Sequence, residues 1–124
     1  MSDQIRDRSG VPVLICAADG PVLTEVQDAL DLIGAAFGGS DVVALPASRL
    51  SDDFFELRTG LAGEVMQKFV NYRIRLAIVG DISERLAASA SLSALVLESN
   101  QGRHIWFLPD LPALDARLGA GPPR

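Results

Sequence analysis

The sequence has one cysteine, Cys16, one histidine, His104, and a single lysine, Lys68, among its 11 basic residues. A lone cysteine excludes an intrachain disulfide, and one cysteine with one histidine argues against a zinc site built from protein ligands. The 11 basic residues face 16 acidic ones, a formal net charge of −5, so no broad cationic face for nucleic acid is expected. No apolar run approaches the roughly 20 residues that cross a bilayer. The first residues are polar and of mixed charge (Asp3, Arg6, Asp7, Arg8), with no signal-type apolar stretch after them. The expectation is a cytoplasmic protein with no membrane contact, in which Cys16 stays reduced.

What is present is core material. The 124 residues are 48% hydrophobic with a mean hydropathy of +0.25, enough for one hydrophobic core and too short for a second domain. Residues 12–18 (PVLICAA) form a continuous apolar run that ends at Asp19-Gly20, and read as a buried strand. Thr24 and Gln27 have capping-box spacing, and Val26, Ala29, Leu30, Ile33 and Phe37 then recur on one helical face up to the Gly38-Gly39 stop. Residues 41–45 read as a second strand halted by Pro46. Ser51 caps a short turn that buries Phe54 and Phe55, and a longer helix runs from Leu61 to about Tyr72.

Residues 73–79 become wholly apolar, as a central strand does, and end at Gly80-Asp81. A connector over 82–89, a helix over 91–98, a last strand over 103–108 and a helix over 111–118 complete the chain. Strands alternating with helices predict a single layered α/β domain over residues 11–118, with four or five mostly parallel strands and helices packed on the sheet. The fifth strand is placed near Val22-Leu23. Residues 1–10 are expected to be flexible and the Gly-Pro-rich tail over 119–124 disordered.

The densest polar signal lies in residues 51–81. Leu61, Val65, Phe69 and Tyr72 make the apolar stripe of one helix, and Glu64, Gln67, Lys68 and Asn71 fall on the adjoining arc. That arc reads either as a solvated face supported by a Glu64–Lys68 pair or as a binding face. Thr59-Gly60 at the helix start, with Arg58 beside it, either caps the helix or offers backbone N–H groups to an anion. Asp81, at the end of a strand, either caps the next segment or meets a ligand. Glu98 and Asn100 precede the last strand, where Asn100 more often ends a helix. His104 and Cys16 read as structural, because neither has a nucleophile or base in a recognisable motif.

The stretch FFELRTGLAGEVMQKFVNYRIRLAIVGD, followed by LESNQGRHIWF, resembles the bacterial domain of unknown function 4180 family, from about Val13 to Leu118. The blocks FF-x-LRTGLAGE, QKF-x-NY, GD and ESN-x-G occur in order and close together. This resemblance implies a small stand-alone protein and carries no activity. More distantly, the chain is similar to the STAS domain, the fold of anti-sigma-factor antagonists, which places a phosphorylated Ser or Thr before Gly-Leu at a helix start. Thr59-Gly60-Leu61 occupies that place, with Leu57-Arg58 where STAS domains usually have Asp-Ser. The resemblance therefore implies a STAS-like fold with Thr59 as a candidate phosphorylation site.

Two function classes follow. The first is a non-enzymatic interaction or regulatory module whose partner is another protein or a second copy, with no cofactor and no metal. The second is a small-ligand binder or enzyme that uses Glu64, Lys68, Asn71, Asp81 and Glu98, where a carboxylate and an amine could share proton transfer. Only Arg73, Arg75 and Arg103 favour nucleic acid, against the charge balance.

Overall fold

The computed structural model describes residues 3–119. Five strands, β1 (Gln4–Arg8), β2 (Val11–Ile15), β3 (Val42–Pro46), β4 (Arg75–Val79) and β5 (Ile105–Leu108), form one sheet in the order β1-β2-β3-β4-β5. The first pair is antiparallel and the rest are parallel. The helices are α1 (Val26–Ala36), α2 (Asp52–Phe55), α3 (Leu61–Asn71), α4 (Ser83–Ala88), α5 (Ala90–Gln101) and α6 (Leu111–Gly119). This is the single α/β domain the alternation predicts, with its parallel strands laid down in chain order.

Because each crossover steps to the next strand in the same direction, α1, α3 and α5 lie on one face of the sheet. Leu14, Val43, Leu76 and Ile105 are cross-strand neighbours on that face, and they pack with Ile33, Val65, Phe69 and Val96 of the three helices. The opposite face carries Ala44, Ala77 and Trp106 in one row and is covered by Leu114 and Leu118 of α6. Both faces of β3 and β4 are therefore dry, which is why those strands read as continuous apolar runs.

The amino terminus departs from expectation. Instead of a flexible segment over residues 1–10, residues 4–8 are an edge strand, and the fifth strand is β1 rather than Val22-Leu23. Leu23 makes only an isolated parallel bridge with Leu50. Ser9 (φ 54°) and Gly10 (φ 81°) supply the two left-handed positions of a tight hairpin turn. The Arg8 guanidinium grips both carboxylate oxygens of Asp115 on α6 at 2.8 Å, anchoring one end of β1. Of the tail expected over 119–124, Gly119 ends α6 and residues 120–124 lie outside the described residues.

Two helix details also differ. At the start of α1 the carboxylate that collects free backbone donors is Asp28, which accepts from the N–H groups of Thr24 at 2.9 Å and Glu25 at 3.3 Å. Gln27 instead donates to Asp31 along the exposed side of the helix. Phe37 does not join the buried face; it lies beyond the last helical turn and is 72% exposed. The helix buries Ala29, Leu32, Ile33 and Ala36 instead.

Candidate functional site

The carboxyl ends of the parallel strands, with the starts of α1, α3 and α4, form one edge of the molecule. The chain leaves β3 through a short turn, α2 and a 3-10 turn (Leu57–Thr59), then enters α3 through Gly60 at φ 81°, a left-handed position suited to glycine. Thr59 is exposed, but its hydroxyl is engaged. Oγ1 lies 2.7 Å from Asp53 O and 2.9 Å from Glu56 O, sharing its proton between them, and accepts from Leu61 N at 3.3 Å. One side chain thus ties α2, the 3-10 turn and the first turn of α3 together. Arg58 points to solvent and pairs with Glu56 at 3.1 Å.

The polar arc of α3 is a solvent-facing surface. Glu64 and Asn71 are exposed and Lys68 is half-buried, while Gln67 donates to Asn71 Oδ1 at 2.8 Å. The expected Glu64–Lys68 pair does not form: among the described residues neither has an ion-pair partner. Glu98 is exposed on α5. Asp81 and Asn100 do converge, on the wall of a depression of about 240 Å³ at the carboxyl ends of β4 and β5. Asp81 there accepts from Ser83 N at 2.9 Å, and hydrogen bonds from Ser83 hold its carboxyl below the ordinary aspartate range. The structure therefore does not gather Glu64, Lys68, Asn71, Asp81 and Glu98 into one cluster.

Asn100 has a different occupation. Its amide donates to Phe107 O at 3.1 Å and accepts from Phe107 N at 2.7 Å, so it replaces the neighbouring strand that β5, at the sheet edge, lacks. His104 is likewise tied into the fold, with Nε2 3.0 Å from Phe69 O. Among the described residues no three His, Cys, Asp or Glu side chains converge in a way that could hold a metal ion. No helix there is long and apolar enough to cross a membrane.

The feature that the residue pattern did not reveal is a buried guanidinium. Arg49, only 5% exposed, donates through Nε to Pro21 O at 2.9 Å and through Nη1 to Asp3 Oδ1 at 2.8 Å and Ala17 O at 3.3 Å. Asp3 Oδ1 also accepts from Ala17 N at 2.8 Å. A Cβ on Gly20 would sit 2.7 Å from Arg49 Cζ, so the loop after β2 needs glycine for the guanidinium to pass. Beneath this network, burial and the neighbouring Asp3 push the Cys16 thiol up to about 12, leaving it neutral and unreactive. The only sequence signal was a lone Arg between Ser48 and Leu50, and that does not distinguish burial from exposure.

No curated protein and no solved structure matches the chain. A family model described as a domain of unknown function (DUF4180) matches residues 8–118, from the last residue of β1 into α6. That match takes in the Thr59 turn, the Asn100 clamp and Arg49, and the chain belongs to the DUF4180 family.

Proposed function

We propose that the chain is a cytoplasmic, non-enzymatic protein-interaction module of STAS-like type, switched by phosphorylation at Thr59. The observation that carries this reading is the Thr59 hydroxyl, which is exposed at the entry to α3 and is the sole side-chain tie between α2 and that helix among the hydrogen bonds of the described residues. Supporting it, the helices on one face of the sheet follow parallel strands in chain order, and Thr59 stands between β3 and the helix that leads into β4.

The chemistry is a transfer of the terminal phosphoryl group of a nucleoside triphosphate, bound by a partner kinase, to Oγ1. The O–P bond forms as the phosphoanhydride bond breaks, the nucleoside diphosphate leaves, and the hydroxyl proton passes to a base of the partner kinase. The product cannot donate to Asp53 O or Glu56 O, and it adds about −1.5 to −2 charges next to those two carbonyls. The α2 turn then loosens, while the dianion is held by the free N–H groups at the start of α3. A partner reading α2 would see two different surfaces.

Mass spectrometry of the protein purified from its own cells is expected to find a phosphorylated peptide spanning Thr59. Hydrogen exchange over residues 52–60 should be faster in that form. A Thr59 that is unmodified through growth and stress overturns the switch.

A further inference from the structure

The amino ends of the parallel strands, opposite Thr59, collect the cations that the fold does not use. Arg8, Arg49, Arg58, Arg75 and Arg85 pair with carboxylates, Arg117 donates to Asn100 O, and Arg6 bonds Gln4. Lys68, Arg73 and Arg103 alone have no side-chain partner among the described residues. Backbone bonds bring the segments that carry them to one edge. Phe69 O, next to Lys68, accepts from Ile74 N at 3.0 Å and lies 3.0 Å from His104 Nε2, while Leu76 N donates to His104 O at 2.9 Å. Arg73 and Arg103 therefore stand two residues before the neighbouring strands β4 and β5.

Arg73 takes the left-handed position (φ 58°) that ends α3, where its N–H donates to Val70 O at 3.1 Å and that of Ile74 to Phe69 O at 3.0 Å, and its exposed side chain has no hydrogen-bond or ion-pair partner among the described residues. Beside it Tyr72 is 52% exposed, an aromatic side chain next in the chain to the charge. Of the acidic groups near this edge, Asp41 is held by Arg75, and Glu98 is exposed on α5 without an ion-pair partner among the described residues. The negative ends of α1, α3 and α5 also point this way and favour cations here.

We propose that Lys68, Arg73, Arg103 and the exposed Tyr72 form a docking surface for an acidic protein segment. The partner's carboxylates pair with the three cations while an apolar residue covers Tyr72. A net charge of −5 repels a long polyanion over its whole length and a short acidic segment far less, so protein is favoured over nucleic acid. The surface lies at the opposite edge from Thr59 and does not depend on the switch.

The test is an amide-resolved NMR titration of the full chain with a hexaglutamate peptide at about 50 mM salt, repeated at about 500 mM, where screening is severe. Shifts are expected at residues 68–74 and 103–104, lost at the higher salt. The triple variant Lys68→Glu, Arg73→Glu, Arg103→Glu should weaken binding about tenfold or more, and Arg58→Glu at the other edge should leave it unchanged. Arg73→Gly separates binding from folding: it relieves the backbone, so the unfolding midpoint stays level or rises while affinity falls about threefold. No shifts at this edge, shifts that survive the triple variant, or tighter binding of an oligothymidylate of equal charge would overturn the proposal.

Discussion

Arg49 and Asp3, 46 residues apart, meet at 2.8 Å and close the amino-terminal strand over the loop that follows β2. The same guanidinium satisfies the carbonyls of Ala17 and Pro21, so one buried charge positions the loop, the edge strand and the path into α1. With Arg8 and Asp115 at its other end, β1 is held by two ion pairs rather than by apolar burial.

Replacing Arg49 by methionine should cost about 3 kcal/mol or more, because it strands buried carbonyls and leaves Asp3 without its cation. Urea unfolding followed by circular dichroism reads the loss. The double variant with Asp3→Asn should recover part of it, as expected for two groups that interact. A double-variant loss equal to the sum of the losses of Arg49→Met and Asp3→Asn would mean that the pair does not couple.

Cys16 makes stability depend on alkaline pH. Its thiol ionises near 9 when exposed but only at about 12 in the fold, so the unfolded chain gives up this proton first. The stabilisation is complete below the unfolded value and declines as pH rises from there towards 12. Urea midpoints measured upward from neutral pH should fall more steeply for the wild type than for Cys16→Ala, and reaction with a thiol reagent should track global unfolding.

Asn100→Ala should destabilise by about 2 kcal/mol, since it orphans both the N–H and the carbonyl of Phe107. It also opens the edge of β5, so concentration-dependent association in sedimentation is expected alongside the lower midpoint. Asn100→Asp retains an acceptor for Phe107 N but loses the donor to Phe107 O, and should fall between the two.

Thr59→Val keeps the shape of the side chain and removes its hydrogen bonds, at an expected cost of about 1 kcal/mol, whereas Thr59→Ser should stay close to wild type. Hydrogen exchange of residues 52–61 locates the effect. Unchanged exchange in Thr59→Val would show that the hydroxyl does not hold the turn.

Asp28 collects N–H groups at the start of α1, and the backbone bond from Thr24 is the main reason its carboxyl lies below the ordinary range. This contribution is present above the unfolded pKa and is lost as pH falls through the lower folded one. Asp28→Ala should lower stability by about 1 kcal/mol at neutral pH, with the difference from wild type shrinking in acid.

How far the residues alone reach depends on whether their determinants are local. The helix from Leu61 follows from apolar residues at helical spacing, and its buried face is Leu61, Ala62, Val65 and Phe69. Tyr72, placed on the same stripe, falls just past the last turn and is exposed. The Glu64–Lys68 spacing allows a pair but does not compel one, because an exposed ion pair gains little over two hydrated charges. Thr59 stands out in the sequence by position; its bonds to Asp53 and Glu56 carbonyls depend on how α2 ends.

Determined by the sequence itself are the strands β2 to β5, the α/β alternation and the helix that follows Thr59, since apolar runs, helical periodicity and glycine stops act over a few residues. Tertiary structure decided the rest. A polar segment became strand β1 because Arg49 and Asp115 wait for it, Arg49 was buried because Gly20 leaves it room, and Asn100 became the partner of an edge strand. The segments that carry Lys68, Arg73 and Arg103 meet at one edge only through the bonds among Phe69, Ile74, Leu76 and His104. Such relations join residues far apart in the chain, and a charged side chain looks the same in sequence whether its partner is water, a carboxylate across the fold or another protein.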